Sequence, residues 1–422
     1  MNNAIPLLAG VAVPGPEATR ATRLRALAGL GVAGWPTRRR EPWRYTDLEP
    51  LAAGNFELVA PPADDDTVAA ARRLLEDPAF GESRRQLVLL DGERVAGLGA
   101  AALTGVDIGN PETQWSEIES AQEYPLAALN TAFAQRGLWL RVRAGTIVDV
   151  PVHLVVLGSA RARIAAQPRI VIEMEAGAQA TFVQHFVDCG ATSDGWSNAV
   201  TQIRQDAGSR VNFYRLQRHA SGAAHTSLLA ADLDRDAELT AGYLDLGARL
   251  VRNDIAITLS GPGARTQLFG LLLAGAGQHV DDHTVIRHAA GATVSDENFR
   301  SIIGAHGRGV FNGKVIVERD CQRIDARQRN DNLLLGEHAE IDTRPTLEIY
   351  ANDVKCSHGA TVGELDPEQL FYLQARGLDA AAARRMLTTA FATTVLEQIA
   401  DTALRGEALA RVTAYLETLT ER

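Results

Sequence analysis

A weak internal repeat constrains this chain more than any other feature. Between Leu138 and Val362 the helical period vanishes, and short strand-like stretches alternate with turn residues. A turn residue is followed three places later by a residue suited to a strand interior. The pattern starts at Gly145 (GTIV), Gly177 (GAQA), Gly208 (GSRV), Asp236 (DAEL), Gly263 (GART) and Gly291 (GATV). Successive intervals are 32, 31, 28, 27 and 28 residues, and Gly277 divides the last into 14 and 14. Such a period favours a stacked β-solenoid, because one rung cannot bury its apolar face without a neighbour. An ordinary antiparallel sandwich with glycine in its turns is the competing arrangement. Within the region, Ile170, Ile172 and Met174 fall on one face of a strand.

The flanks have a different character and divide the chain into residues 1–136, 137–363 and 364–422. In the first part, Ala18 to Leu30 reads as a helix with Leu24, Leu27 and Leu30 on one stripe, ended by Gly31. Asp64 opens the cap of a second helix toward Glu76. Gln86–Leu90, Asp91-Gly92 and Arg94-Val95 read as a β-hairpin, since Asp-Gly supplies the positive φ angles of a tight turn. Leu126 to Gln135 is a further helix, stopped at Gly137. In the last part, Asp366-Pro367-Glu368 starts a helix that ends at Gly377, and Asp379 caps the next. There Leu387, Phe391, Val395 and Ile399 recur every four residues. A final helix after Gly406 carries Leu409, Val412, Leu416 and Leu419. These stripes either pack on their own domain or dock a partner protein.

Composition narrows the function. The chain has 422 residues, 46% hydrophobic and 22% charged, as in a globular protein with a large core. Its formal net charge of −10 argues against a life spent gripping phosphate backbones, so no nucleic-acid partner is expected. No apolar run is long enough for a membrane-spanning helix, and no membrane partner is expected. Three widely spaced cysteines, Cys189, Cys321 and Cys356, do not make a disulfide framework and fit a reducing, cytoplasmic setting. The apolar stretch Ala4–Val13 lacks a preceding basic residue and reads as a mature N-terminus. There is no GxxxxGK[ST], GxSxG or HExxH, so the common ATPase, hydrolase and zinc-protease signatures are missing.

Two clusters carry ligand chemistry. In Lys355-Cys356-Ser357-His358, an extended strand puts Cys356 and His358 on one face. A thiol and an imidazole suit a soft or borderline metal, or iron–sulfur chemistry, and Lys355 would favour the thiolate. Two ligands make only half a site, so the rest must come from a second chain or from distant residues. A purely structural pair is the alternative. In Gln278–His283, the residues His279, Asp281 and His283 share a strand face, an arrangement like two histidines and a carboxylate around Fe(II). A polar ladder on a sheet surface, or hydrogen-bonded packing between subunits, is the alternative. His153 and His185 read as structural.

Taken together, several segments resemble the SufB/SufD family of iron–sulfur cluster assembly proteins, and its SufD branch in particular. The resemblance starts at EPWRYTDL (41–48). It is strongest through QHVDDHT (278–284), RGVFNGKVIV (308–317), NLLL (332–335), AEIDTRPTLEIYANDVKCSHGATVG (339–363) and DPEQLFYLQARG (366–377). Similarity is loose from Leu51 to about Pro125. The resemblance implies a mainly β fold: a right-handed parallel β-helix core flanked by an N-terminal, mostly helical α/β part and a C-terminal helical domain. The SufB branch carries a cluster-assembly cysteine about nine residues before the histidine matching His358. Here that position is Ile349, and Gly359 stands where SufB-like chains have glutamate, so the chain looks like the SufD side.

The resemblance further implies a non-catalytic scaffold subunit of a SufBCD complex. His358 would be a ligand of a transient iron–sulfur cluster at the interface with a SufB-like paralogue, and the role of Cys356 is less clear. No cofactor would bind the isolated chain tightly. A SufC-like ABC ATPase would dock on residues 364–422, where Phe371, Tyr372, Leu373, Leu387, Phe391 and Val395 are the candidate contacts, and ATP hydrolysis would belong to that partner. Two other readings stay open. One is a stand-alone homodimeric scaffold using a pair of His358 residues. The other is a β-helix carbohydrate-active enzyme, which needs acidic clusters with catalytic Arg or Lys and normally a secretion signal.

Overall fold

Two sheets of ten strands each run side by side through the middle of the chain. The computed structural model describes residues 5–110, 121–159, 161, 163–190 and 193–420; Ala4, the first residue of the apolar N-terminal stretch, lies outside them. Each rung gives one strand to each sheet, so neighbours in a sheet are separated in the chain by a strand of the other sheet. The first sheet ends with Val294–Ile303, Ile324–Leu334 and Val354–Gly363. The second ends with His279–His288, Arg308–Val317 and Glu340–Ile349. Pairing along both stacks is parallel and residue for residue. The core is therefore a parallel β-solenoid flanked by α-rich regions, and the sandwich alternative falls.

The repeat marks the corner between the two sheets. Gly145, Gly177, Gly208, Asp236 and Gly263 have φ values of 68°, 70°, 69°, 56° and 80°. Glycine suits this corner because the left-handed conformation costs it nothing. The corners also bond to one another. The Gly177 N–H donates to the Ala207 carbonyl at 3.0 Å, and the Gly208 N–H to that of Arg235 at 2.9 Å. Three residues after each corner lies an inward side chain: Val148, Ala180, Val211, Leu239 and Thr266, all buried. The next rung slips by one. Its left-handed residue is Ala292 at φ 59°, not Gly291, so the inward residue is Ser295 and not Val294. Gly277, at φ 75°, opens a strand of the opposite sheet, which is why it halves the interval.

Apolar contacts cover the outer faces as well. On the first sheet, Tyr214, Phe269, Leu271, Leu273 and Ile302 cluster with Val395, Ile399, Val412 and Leu416 of the C-terminal helices. On the second, Trp196, Ala224 and Leu250 cluster with Trp43, Leu126 and Leu129 of the N-terminal region. Strands covered on both faces lose the apolar–polar alternation, and Leu271-Leu272-Leu273 is such a run.

Local boundaries shift for identifiable reasons. The first long helix, Glu17–Ala33, runs through Gly31 and stops at Gly34, whose φ is 74° and whose N–H bonds the Leu30 carbonyl. Leu24 is exposed on it, while Leu30 is buried. Asp64 caps Asp65–Leu75 through the Thr67 N–H. Asp91 and Gly92, with φ of 51° and 88°, turn the hairpin between Gln86–Leu90 and Glu93–Gly99. The helix Pro125–Phe133 ends before Gly137. The last helix is Thr402–Thr420; it contains Gly406 and is capped by the Asp401 carboxylate, which accepts from the Ala403 and Leu404 N–H groups.

Candidate functional site

The two ends of the solenoid are finished differently. At the start, antiparallel strands close both sheets: Glu93–Gly99 in the first and Val106–Gly109 in the second. At the other end, no strand among the described residues pairs with the outer edge of Glu340–Ile349 or Val354–Gly363. Both edges present free backbone groups, which are a template for another strand. Exposed apolar side chains Ile349, Tyr350 and Val362 rim this end.

His358 and Cys356 belong to it. Cys356 continues the inward column three residues past the corners and pairs in register with Ala326. It is half-buried against Val315, Val317 and Ile324. Burial, and then the Asp325 carboxylate, push its thiol above the usual range. Lys355 alternates to the opposite face, so the expected thiolate stabilisation gives way to the effect of burial. His358 is exposed and pairs in register with Gln328, which stands five residues past the left-handed Arg323 at φ 63°. Its inward column reads Phe182, Phe213, Ala241, Leu268, Glu297, Gln328 and His358 along the stack.

The lumen behind His358 is polar. Glu297 is fully buried and burial pushes its carboxyl up to about 7. Gln328 Nε2 donates to Glu297 Oε2 at 2.5 Å. Asn332 Nδ2 donates to Asn330 Oδ1 at 2.6 Å, and Thr343 Oγ1 of the terminal strand donates to the same oxygen at 2.7 Å. Reading the sequence by motif missed Glu297 and Gln328. Counting five residues on from the left-handed corners Ala292 and Arg323 finds them, but neither corner is a glycine, so the sequence does not mark where to start.

His279, Asp281 and His283 share a face, as expected, but that face is built for docking the N-terminal segment. Arg252 Nη1 donates to Asp281 Oδ2 at 2.7 Å and to the Pro42 carbonyl at 2.9 Å. Its guanidinium lies 4.2 Å from the centre of the Trp43 ring. The Thr46 hydroxyl donates to Asp281 Oδ2 and therefore accepts from His279 Nε2–H, 2.8 Å away. His283 Nε2 lies 3.0 Å from Asp281 Oδ1. Burial acts against the Asp281 charge, but Arg252 and His283 overcome it and hold the carboxyl far below its usual range. Burial pushes the His279 imidazole down. Both Nε2 atoms are thus engaged with protein oxygens. No group of three or more His, Cys, Asp or Glu side chains among the described residues is arranged around a metal position. The EPWRYTDL motif is the strap that this cluster fastens.

His153 and His185, scattered in sequence, meet in space. Their rings stack at 5.3 Å with Nδ1 and Nε2 3.0 Å apart, and burial lowers His153 to about 4. Among the six candidate docking residues, Phe371 and Tyr372 are exposed, on a helix, Pro367–Ala375, that buries none of its residues. Leu373 and Leu387 are half-buried. Val395 is buried against the solenoid, and Phe391 packs there beneath Arg300, 4.5 Å from its ring. Those two side chains are spent on intramolecular packing, because the outer sheet face they cover is itself apolar.

Comparison with known proteins gives this geometry a context. The family described as SUF system FeS cluster assembly, SufBD core domain, matches residues 156–391. The iron–sulfur cluster assembly protein SufD of Escherichia coli is 31% identical over 386 residues, covering 90% of this chain and 89% of that protein. An iron–sulfur cluster assembly SufBD family protein of Synechocystis is 30% identical over 406 residues, covering 89% and 86%. A chloroplastic protein of Arabidopsis thaliana is 26% identical over 402 residues, covering 90% and 83%. The chain belongs to the SufBD family of iron–sulfur cluster assembly scaffolds, and within that family it is similar to SufD.

Proposed function

We propose that this chain is a non-catalytic subunit of a SufBCD-type complex and pairs with a SufB-like paralogue across the open end of its solenoid. The single observation that carries the reading is the asymmetry of the two ends: antiparallel strands finish one, and at the other no strand among the described residues pairs with either sheet edge. A sister solenoid would extend both sheets there. It would bring its own thiolate near His358, the exposed imidazole of the terminal rung. The iron–sulfur cluster is cargo at this interface. One imidazole from this side ties it less firmly than a full thiolate set, which suits a product that must leave.

A SufC-like ATPase would sit on the helix Pro367–Ala375, where Phe371 is 73% exposed. Deleting residues 364–422 is a poor test of that contact, because it would strip the cover from Tyr214, Phe269 and Leu271. Phe371→Asp with Tyr372→Asp leaves that cover intact and is expected to abolish co-purification of the ATPase.

His358→Ala tests the ligand role. The expected result is a complex assembled in normal yield that fails to build its cluster during anaerobic reconstitution, read from sulfide-to-iron absorbance. Unchanged cluster yield would refute the role. Isolation of the chain only as a homodimer, with the paralogue present, would replace the heterodimer by the stand-alone scaffold.

A further inference from the structure

We propose that Gln328 is a positioning residue for His358, accepting one ring N–H through Oε1 so that the other ring nitrogen keeps its lone pair for a metal; the metal-facing purpose rests on the ligand reading above. Three observations carry the geometry. Glu297, Gln328 and His358 occupy one inward column on successive strands, each in register with the next. Adjacent strands lie about 4.8 Å apart, so stacked side chains are within hydrogen-bonding reach. The Gln328 amide is buried and held on one side only: Nε2 donates to Glu297 Oε2 at 2.5 Å. Its Oε1 is buried without a hydrogen-bond partner among the described residues.

A buried amide oxygen left unsatisfied is costly, so a donor at this position is favoured. The next residue of the column is His358. Glu297 acts one step behind. By accepting from Nε2 it stops the amide from turning over and so leaves the oxygen, not the nitrogen, open to a donor. The chain carboxylate–amide–imidazole would do for His358 what outer partners of metal-bound histidines commonly do, fixing tautomer and ring orientation, with effects on metal affinity of about 10–100-fold.

Nitrogen NMR of the full-length chain, with 15N-labelled histidine and His358 assigned by its loss in His358→Ala, reads the tautomer directly. The expected wild-type signal is a single tautomer. Gln328→Leu, and independently Glu297→Leu, are each expected to lose it and give the mixture of a free imidazole. A wild-type His358 already in that mixture overturns the proposal, whether or not either variant folds. So does a cooperatively unfolding Gln328→Leu variant that keeps the single tautomer. The reconstitution of His358→Ala is a separate readout. A fixed tautomer with unimpaired cluster assembly would leave Gln328 positioning a histidine that is not a ligand.

Discussion

The lumen of the solenoid is built in two ways along one column of side chains. At Phe182 and Phe213 it is a dry core of the ordinary kind, fully buried and apolar. Three rungs beyond Phe213, at Glu297, it turns polar, and it reaches the surface through Gln328 and His358. The backbone is the same in both halves. The difference lies in what each half must do: the apolar rungs supply stability, while the terminal rungs hold side chains in a defined order behind an edge that faces outward. A solenoid needs its last rung capped or paired, and here the strands among the described residues cap the first end and not the last.

Four substitutions press on that contrast. Arg252→Ala is expected to cost most, about 3–5 kcal/mol, because it takes the guanidinium away from the buried Asp281 carboxylate. It should also release the strap around Trp43, read by proteolysis as well as by denaturant unfolding. Phe213→Ala in the dry half is expected to lose about 3–4 kcal/mol to a cavity. Glu297→Gln in the polar half should do the reverse and stabilise at high pH. Burial raises the Glu297 carboxyl from 4.5 to about 7, so the folded chain holds that proton more tightly than the unfolded one. Wild-type stability should fall as pH rises from about 4.5 through 7, by up to roughly 3 kcal/mol at 1.36 kcal/mol per pH unit. The variant should gain over wild type in that window and match it near pH 4, as thermal melts across pH would show. His358→Ala, on the exposed rung, should cost least, about 1 kcal/mol, because water can take over from the ring as donor to the Gln328 oxygen. A large loss there would mean that the terminal rung is core after all.

The solenoid was legible because glycine at a left-handed corner leaves a mark in sequence that survives loose strand composition. Gly145, Gly177 and Gly208 report three rungs directly. Where Ala292 and then Arg323, at φ 63°, take the corner, the mark disappears, and with it the polar column that starts at Glu297. The pairing of Cys356 and His358 on one face followed from strand alternation alone. The direction of the thiol's shift did not, since it depends on Val315 and Ile324, distant in sequence and packed beside it. His279, Asp281 and His283 carried a metal-like spacing, yet their partners, Arg252 and Thr46, lie 27 or more residues away and on another element. The amphipathic stripe through Phe391 and Val395 was visible, but which surface it covers was not, because the apolar outer face of the first sheet is assembled from strands that are far apart in the chain.

Hydrogen exchange of the backbone amides in Glu340–Ile349 and Val354–Gly363 tests the open end most directly, with the chain measured alone and then co-purified with its SufB-like paralogue. The free edges should exchange fast in the isolated chain and become strongly protected in the complex, while Glu93–Gly99 and Val106–Gly109 stay unchanged. Terminal-strand amides that exchange alike with and without the paralogue would contradict the account.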